Sequence, residues 1–275
     1  RLSQVNKADW NAVTGLDYPF TRYEFLQALE LSGAVDCTDN KNSDKHNTGW
    51  QPRHLLVFED TKLVAVMPAY LKSHSYGEYV FDHAWADAYH RYGQAYYPKL
   101  VTAIPFTPVS GPRICIADGH ESQAILTAIG RYVIEYCTQE KLSSWHLLFP
   151  SKDFSKQFSS QFMQRSAVHF QWFNEGFTSF DDFLAAFSSR KRKNLKKERQ
   201  QVIDQNISLE VFTGDDIPEA IWDHFFHFYQ MTYAKRSGHG GYLSKTFFKT
   251  LAQTMPEAIV LVLAKHNNEY IAGAL

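Results

Sequence analysis

Apolar side chains along this 275-residue chain recur in two alternating rhythms. One follows the helical repeat and the other alternates residue by residue, which together predict a mixed α/β fold. Thr21 to Leu31 carries Phe25, Leu26 and Leu29 on one helical face. Asp36 to Gly49 is polar, turn-rich and without period, and reads as a mobile loop. His54 to Phe58 and Leu63 to Leu71 read as strands joined by the hairpin signal Glu59-Asp60-Thr61-Lys62. Asp82 is placed to cap a helix that runs to Tyr92. Strands at Leu100 to Ala103 and Arg113 to Ala117 flank a proline-punctuated segment, Pro105 to Pro112. An amphipathic helix (Glu121 to Glu140), a strand (Ser144 to Phe149), a helix (near Ser155 to Met163) and a strand (Val168 to Asn174) follow.

After Gly176 the pattern restarts, giving an expected boundary between 1–176 and 177–275. A long, basic helix from Ser179 to Gln205 opens the second part, and Ser208 to Phe212 reads as a strand. Asp216 is expected to cap a helix with Pro218 in its first turn, whose Trp222, Phe225 and Tyr229 form a core stripe. Another helix, Ser244 to Thr254, precedes a hairpin, Ala258 to Ala264 and Tyr270 to Leu275. The strings at 54–71 and 259–275 are alike: an apolar strand, a tight polar turn and a second strand with small residues. That likeness points to a tandem duplication. The second copy ends on the apolar run Tyr270 to Leu275, so the fold is expected to continue beyond it.

Composition narrows the classes. With 44% hydrophobic and 21% charged residues, a sizeable core is expected. A net charge of -1 leaves any nucleic-acid or membrane contact to a local patch. Cys37, Cys115 and Cys137 are odd in number and widely spaced, which argues for free thiols in a reducing, cytoplasmic setting. No apolar run approaches the ~20 residues of a bilayer span. The polar start RLSQVNKADW, without an initiator Met, does not read as a secretory signal.

The densest chemistry lies between Pro68 and Pro112, where His74, His83, His90, Glu78, Asp82 and Asp87 crowd among Tyr and Trp residues. Aromatic side chains with polar tips suit the wall of a binding cleft. His83, Asp87 and His90 fall at i, i+4 and i+7, one helical face, where a carboxylate can orient a general base. Solvated helix-face histidines are the plain alternative. Zinc would need a fourth ligand that no spacing supplies, so no metal is expected. The run from Ser188 to Arg199 is the strongest charge cluster: an exposed connector helix or an anion-binding surface. It has no interleaved aromatics for base stacking. Lys235 to Tyr242 is Gly-rich and joins two helices, as a loop beside a site or as a simple turn.

Four strings carry a family resemblance: HLLVFEDTKLVAVMPAYLKSHSYGEYVFDHAWADAY (54–89), YYPKLVTAIPFTPVSGPRI (96–114), FLAAFSSRKRKNLKKER (183–199) and YLSKTFF (242–248). They resemble FemAB-like bacterial proteins, predicted N-acyltransferases or peptidoglycan biosynthesis proteins related to the FemABX group. The resemblance implies tandem GNAT-like acyltransferase units with mixed sheets, the second incomplete at its C-terminus. It implies transfer of an acyl or aminoacyl group from acyl-CoA or aminoacyl-tRNA to an amine, with a cell-wall precursor as acceptor. Under it His83, Asp87 and His90 are the candidate catalytic face. His74, Tyr76, Tyr79, Asp82, Trp85, Tyr96 and Tyr97 are the substrate wall, and Arg190, Lys191, Arg192 and Lys193 contact the donor's anionic groups. DNA is not an expected partner. One departure stands out. The GNAT pyrophosphate turn has the form Q/R-x-x-G-x-G/A, and the nearest string, His90-Arg-Tyr-Gly93-Gln-Ala95, has His first and follows a helix. At Arg113 to Gly119, where strand, turn and helix come in the right order, Asp118 and Glu121 would repel phosphate. A non-catalytic module recognising a peptide, cell-wall precursor or lipid headgroup is the alternative.

Overall fold

The computed structural model describes residues 1–36, 48–158 and 161–275. Most of the loop expected at 36–49, together with Cys37, lies outside them, as does part of the helix expected near 155–163. The elements in chain order are α1 (Lys7–Thr14), α2 (Tyr23–Leu31), β1 (Trp50–Pro52), β2 (Leu55–Glu59), β3 (Lys62–Met67), β4 (Tyr70–Lys72), α3 (His83–Arg91), β5 (Lys99–Thr102), β6 (Cys115–Ile116), α4 (Ser122–Gln139), β7 (Trp145–Leu147) and α5 (Lys152–Gln157). They continue with α6 (Phe180–Ala185), α7 (Ser189–Asp204), β8 (Ile207–Thr213), α8 (Glu219–Ser237), α9 (Lys245–Thr254), β9 (Val260–His266) and β10 (Glu269–Ala274). Two compact units form, Arg1–Met163 with Gly240–Ala258, and Gln164–His239 with Ile259–Leu275.

In the first unit, β1, β4, β5 and β7 make one sheet in that order, and β2, β3 and β6 a second. β5 and β7 are parallel, joined through α4, while the other pairs in both sheets are antiparallel. A single strand was expected from Leu63 to Leu71. Pro68 cannot donate a ladder hydrogen bond, so β3 ends at Met67 and β4 starts at Tyr70 in the other sheet. Leu126, Ile129 and Val133 of α4 pack on Met67, Ala69, Leu100 and Ile114. Segment 240–258 also belongs here, a return that a linear boundary at 176/177 does not anticipate. Its α9 is capped by Ser244, which accepts from Phe247 N, and packs on α2 with Phe247 against Phe25 at 5.5 Å. Arg22 and Glu257 pair at 2.5 Å.

The second unit is an antiparallel sheet in the order β10-β9-β8 with α8 packed on β10. Asn267 and Asn268 both take positive φ in the two-residue turn, the geometry a tight hairpin demands. Leu261 and Leu263 of β9 are buried, as are Ile221, Trp222 and Phe225 of α8, which lies close on β10. Gly273 permits that approach, because a Cβ there would sit 2.6 Å from Leu263 Cδ2. The hairpins β2–β3 and β9–β10, alike in sequence, each carry one register irregularity.

Three local expectations are corrected. The long helix expected at 179–205 is two helices, because Ser188 is extended and starts a new N-terminus. Asp216 lies in a short 3-10 turn, and Pro218 itself is the cap residue of α8, since the residue before proline avoids the helical region. Val168 to Asn174 alternates like a strand but pairs with no strand among the described residues, leaving Phe170 93% and Trp172 65% exposed. An alternating sequence becomes a strand only with a ladder to join.

Phe247→Ala removes a ring that is 2% exposed from the α2–α9 contact, and should destabilise the first unit by about 3–5 kcal/mol, read as a lower denaturant midpoint at unchanged slope.

Candidate functional site

Successive side chains of a strand point to opposite faces, so the four-stranded sheet has two characters. Leu71, Leu100, Trp145 and Leu147 face α4 and the apolar core. The alternate positions carry Lys72 and Lys99, directly opposed across β4 and β5, with Trp50 opposite Lys72 on β1. Val101 pairs with His146, which brings that imidazole onto the same face. Both lysines are fully buried. Like charges opposed across a ladder repel, and a buried ammonium needs paired anions. The loop that follows β4 supplies them.

Lys99 Nζ donates to Asp82 Oδ2 at 2.6 Å, Glu78 Oε2 at 2.9 Å and Ser75 Oγ at 2.9 Å. Tyr96 OH donates to the same Asp82 oxygen at 2.7 Å, and Ser75 shares a hydrogen bond with Tyr97 OH at 2.8 Å. Lys72 Nζ donates to Tyr76 O at 3.1 Å and lies 3.8 Å from the centre of the Trp50 ring. The loop is thus fastened twice from beneath. Asp82 occupies the cap position of α3, but its side chain makes no cap hydrogen bond, being committed to Lys99 and Tyr96.

The two carboxylates are driven apart in acidity. Burial pushes Glu78 upward and Lys99 only partly offsets it, so Glu78 lies above the usual carboxylate range. Burial also pushes Asp82 upward, but hydrogen bonds from Lys99 and Tyr96 outweigh it and hold Asp82 down at about 2. Burial lowers Lys72 to about 7, against the pull of Glu78. Burial and the bond to Asp82 raise Tyr96. Paired groups pushed in opposite directions mark where one acts as a fixed anion and the other exchanges a proton.

One oxygen from each carboxylate and one ring nitrogen of His146 lie within 4.8 Å of one another. Among the described residues, Glu78 Oε1 and Asp82 Oδ1 are buried without a hydrogen-bond partner. The donor set is that of a three-ligand metal site, although the cation the carboxylates hold here is Lys99. An aromatic wall stands alongside. Tyr242 stacks on Phe106 at 4.8 Å, Phe106 packs on Trp50 at 5.5 Å, and Trp50 donates to Tyr76 O at 3.1 Å. Gly77, at φ 79°, admits this packing, since a Cβ there would lie 2.6 Å from the Phe106 ring.

Of the expected wall residues, Asp82 and Tyr96 are buried in the cluster, Tyr97 and His74 sit at its margin, and Tyr76, Tyr79 and Trp85 are exposed. Burial lowers the pKa of His74. His83, Asp87 and His90 lie together on the solvent side of α3, with no side-chain hydrogen bond or ion pair among the described residues. Arg190, Lys191 and Lys193 are exposed and Arg192 half-buried on α7, in the second unit. Sequence reasoning passed over Lys72, Lys99, Ser75 and His146 as site residues and left Glu78 without a role. The available signal was two lysines at the inward phase of short apolar strands, YLK and KLVT, followed and preceded by carboxylates.

A sequence profile of the FemAB-like family, described as peptidoglycan biosynthesis/recognition, matches residues 1–275. The chain is also similar to a solved structure, "Crystal structure of FemX", at 13% identity and a TM-score of 0.45, over 95% of this chain and 57% of that one. This chain therefore spans little more than half of that protein's length. No curated protein matches. No helix among the described residues is long and apolar enough to cross a membrane.

Because the folded-state pKa of Asp82 is depressed, its stabilisation is present above the ordinary value of 3.8 and is lost as pH falls toward about 2. Asp82→Asn should cost about 2 kcal/mol or more near neutral pH and flatten the acid limb of stability between those values, measured by denaturant titration across pH. Gly77→Ala should loosen the loop and expose Trp50, read as a red-shifted tryptophan emission with little change in secondary structure.

Proposed function

The chain belongs to the FemAB-like family of peptidoglycan biosynthesis/recognition proteins, and on that premise we propose that it is an N-acyltransferase that moves an acyl or aminoacyl group from an activated donor to an amine of a cell-wall precursor. The observation that carries this reading is the Glu78–Asp82–Lys99–His146 cluster beneath the aromatic wall. An acceptor amine is protonated at neutral pH and must lose a proton before it attacks a carbonyl. Glu78, with its raised pKa, is suited to receive that proton, while Asp82 stays ionised and Lys99 holds both in place. The amine nitrogen then bonds to the acyl carbon, and the bond to the thiol or tRNA hydroxyl breaks. The nitrogen sheds two protons in all: the one Glu78 takes before attack is released to solvent, and the second, lost from the tetrahedral adduct through the same carboxylate, leaves with the departing thiol or hydroxyl.

Tyr76, Tyr79 and Trp85, all exposed, would meet the precursor, together with the more buried His74, Tyr96 and Tyr97. His83, Asp87 and His90, on the outer face of α3, contact the acceptor beyond the buried cluster. Arg190, Lys191, Arg192 and Lys193 are the donor-anion contacts, for the phosphates of acyl-CoA or of tRNA.

A second reading, recognition without catalysis, is favoured by one observation. Gly93 follows the C-terminal end of α3, so the string from His90 to Ala95 does not present amides at a helix N-terminus to a pyrophosphate.

Calorimetric titration of the full-length protein with acetyl-CoA, a long-chain acyl-CoA and aminoacyl-tRNA tests the proposal. Saturable binding of one donor, with transfer to an amine-bearing precursor, is the expected result; binding of precursor alone with no donor supports recognition only. If tRNA is the donor, neutralising Arg190, Lys191, Arg192 and Lys193 together should weaken binding and reduce its log–log salt slope by up to about 3.

A further inference from the structure

We propose that the exposed apolar stretch Val168 to Phe173, together with the basic helix α7, forms a surface that binds the face of an anionic lipid bilayer. Val168 is 83%, Phe170 93%, Trp172 65% and Phe173 69% exposed. Large apolar side chains are commonly exposed one at a time, but here they are uncovered together within a short run of sequence. Each gains by leaving water for hydrocarbon.

Charge identifies the partner. The Trp172 ring rests on Phe183 of α6 at 5.9 Å, Phe183 lies 5.8 Å from Phe180, and the Arg199 guanidinium sits over the Phe180 ring at 3.9 Å. The apolar stretch and α7 are thus joined through α6, all within the second unit. Between residues 180 and 199, Arg190, Lys191, Arg192, Lys193, Lys196, Lys197 and Arg199 outnumber the carboxylates Asp181, Asp182 and Glu198. Lys196 lies 3.8 Å from Asp181, so one of those carboxylates is already matched. The adjoining residues 164–179 add one charge of each sign, Arg165 and Glu175, and the excess stays positive. Arg192 is half-buried and the other cations of α7 are exposed. Apolar side chains beside a cationic helix are what a peripheral protein presents to a bilayer: the former enter the acyl boundary while Lys and Arg meet acidic headgroups. A nucleic acid would use the same charge but gains by stacking on ring faces. Val168 offers no ring, and the rings nearest α7 are engaged, Phe180 by Arg199 and Phe183 by Trp172.

The test is flotation of the full-length protein with vesicles of phosphatidylcholine alone, of phosphatidylcholine with phosphatidylglycerol, and of the second mixture with brominated acyl chains. The expected result is binding to the anionic vesicles only, weakened by salt, with brominated chains quenching tryptophan emission in the wild type and much less in Trp172→Phe. Phe170→Ser with Trp172→Ser, and separately Lys196→Gln with Lys197→Gln and Arg199→Gln, should each weaken binding at least tenfold. Phe170→Ser alone changes an almost wholly exposed ring, so it keeps the test valid if the loss of Trp172 from Phe183 disturbs the fold. Absence of binding to anionic vesicles, equal binding of neutral ones, or binding untouched by the Phe170 and Trp172 changes would overturn the proposal. Single-stranded RNA binding that depends on those two residues, without vesicle binding, would overturn it and assign the surface to nucleic acid. A dimer that the same two changes dissociate, again without vesicle binding, would overturn it in favour of a second copy of the chain.

Discussion

An ammonium sealed between two carboxylates is the constraint on which the rest of the first unit depends. Lys99 is fully buried, and its ammonium is met by ion pairs to Glu78 and Asp82. Leaving such a charge unpaired costs about 3–5 kcal/mol, comparable to a large share of a domain's stability. That requirement fixes the loop after β4 against the sheet and sets where α3 begins. It also explains why Asp82 sits at a cap position without capping: its oxygens answer to the lysine and to Tyr96. A good local helix cap has been given up for a tertiary contact.

The same sheet solves two problems because a strand alternates its faces. Leu71, Leu100 and Trp145 build the core with α4, and the intervening residues build a polar interior under the loop. The aromatic residues complete this arrangement from above. Trp50 packs against Lys72, Phe106 against Trp50 and Tyr242 against Phe106, so residue 242 reaches the wall from a segment far along the chain. Burial and the nearby Lys99 charge are what spread the acidities of Glu78 and Asp82.

The order of helices and strands was legible because each long element repeats its apolar positions many times. α4, α9 and the hairpins β2–β3 and β9–β10 follow directly from spacing and turn residues. The failures share a cause, which is that pairing and breaks are decided by partners distant in sequence. Val168 to Asn174 has a strand's alternation and no ladder to join, and Pro68 divides one apolar run between two sheets. That the region between Pro68 and Pro112 is unusual was legible from its composition. Its centre was not, because Lys72, Lys99 and His146 become neighbours only through the register of β4, β5 and β7. Lysines in particular read as surface residues by default, and only their inward phase on short apolar strands marked these two as different.

Amide hydrogen exchange compared between the wild-type protein and Lys99→Met tests the dependence on this ion pair most directly. If Lys99 fastens the loop, the substitution raises exchange from Ser75 through the first turn of α3, while α4 and β7 keep their protection. Unchanged protection in the loop, or uniform loss across the whole first unit, would contradict the account.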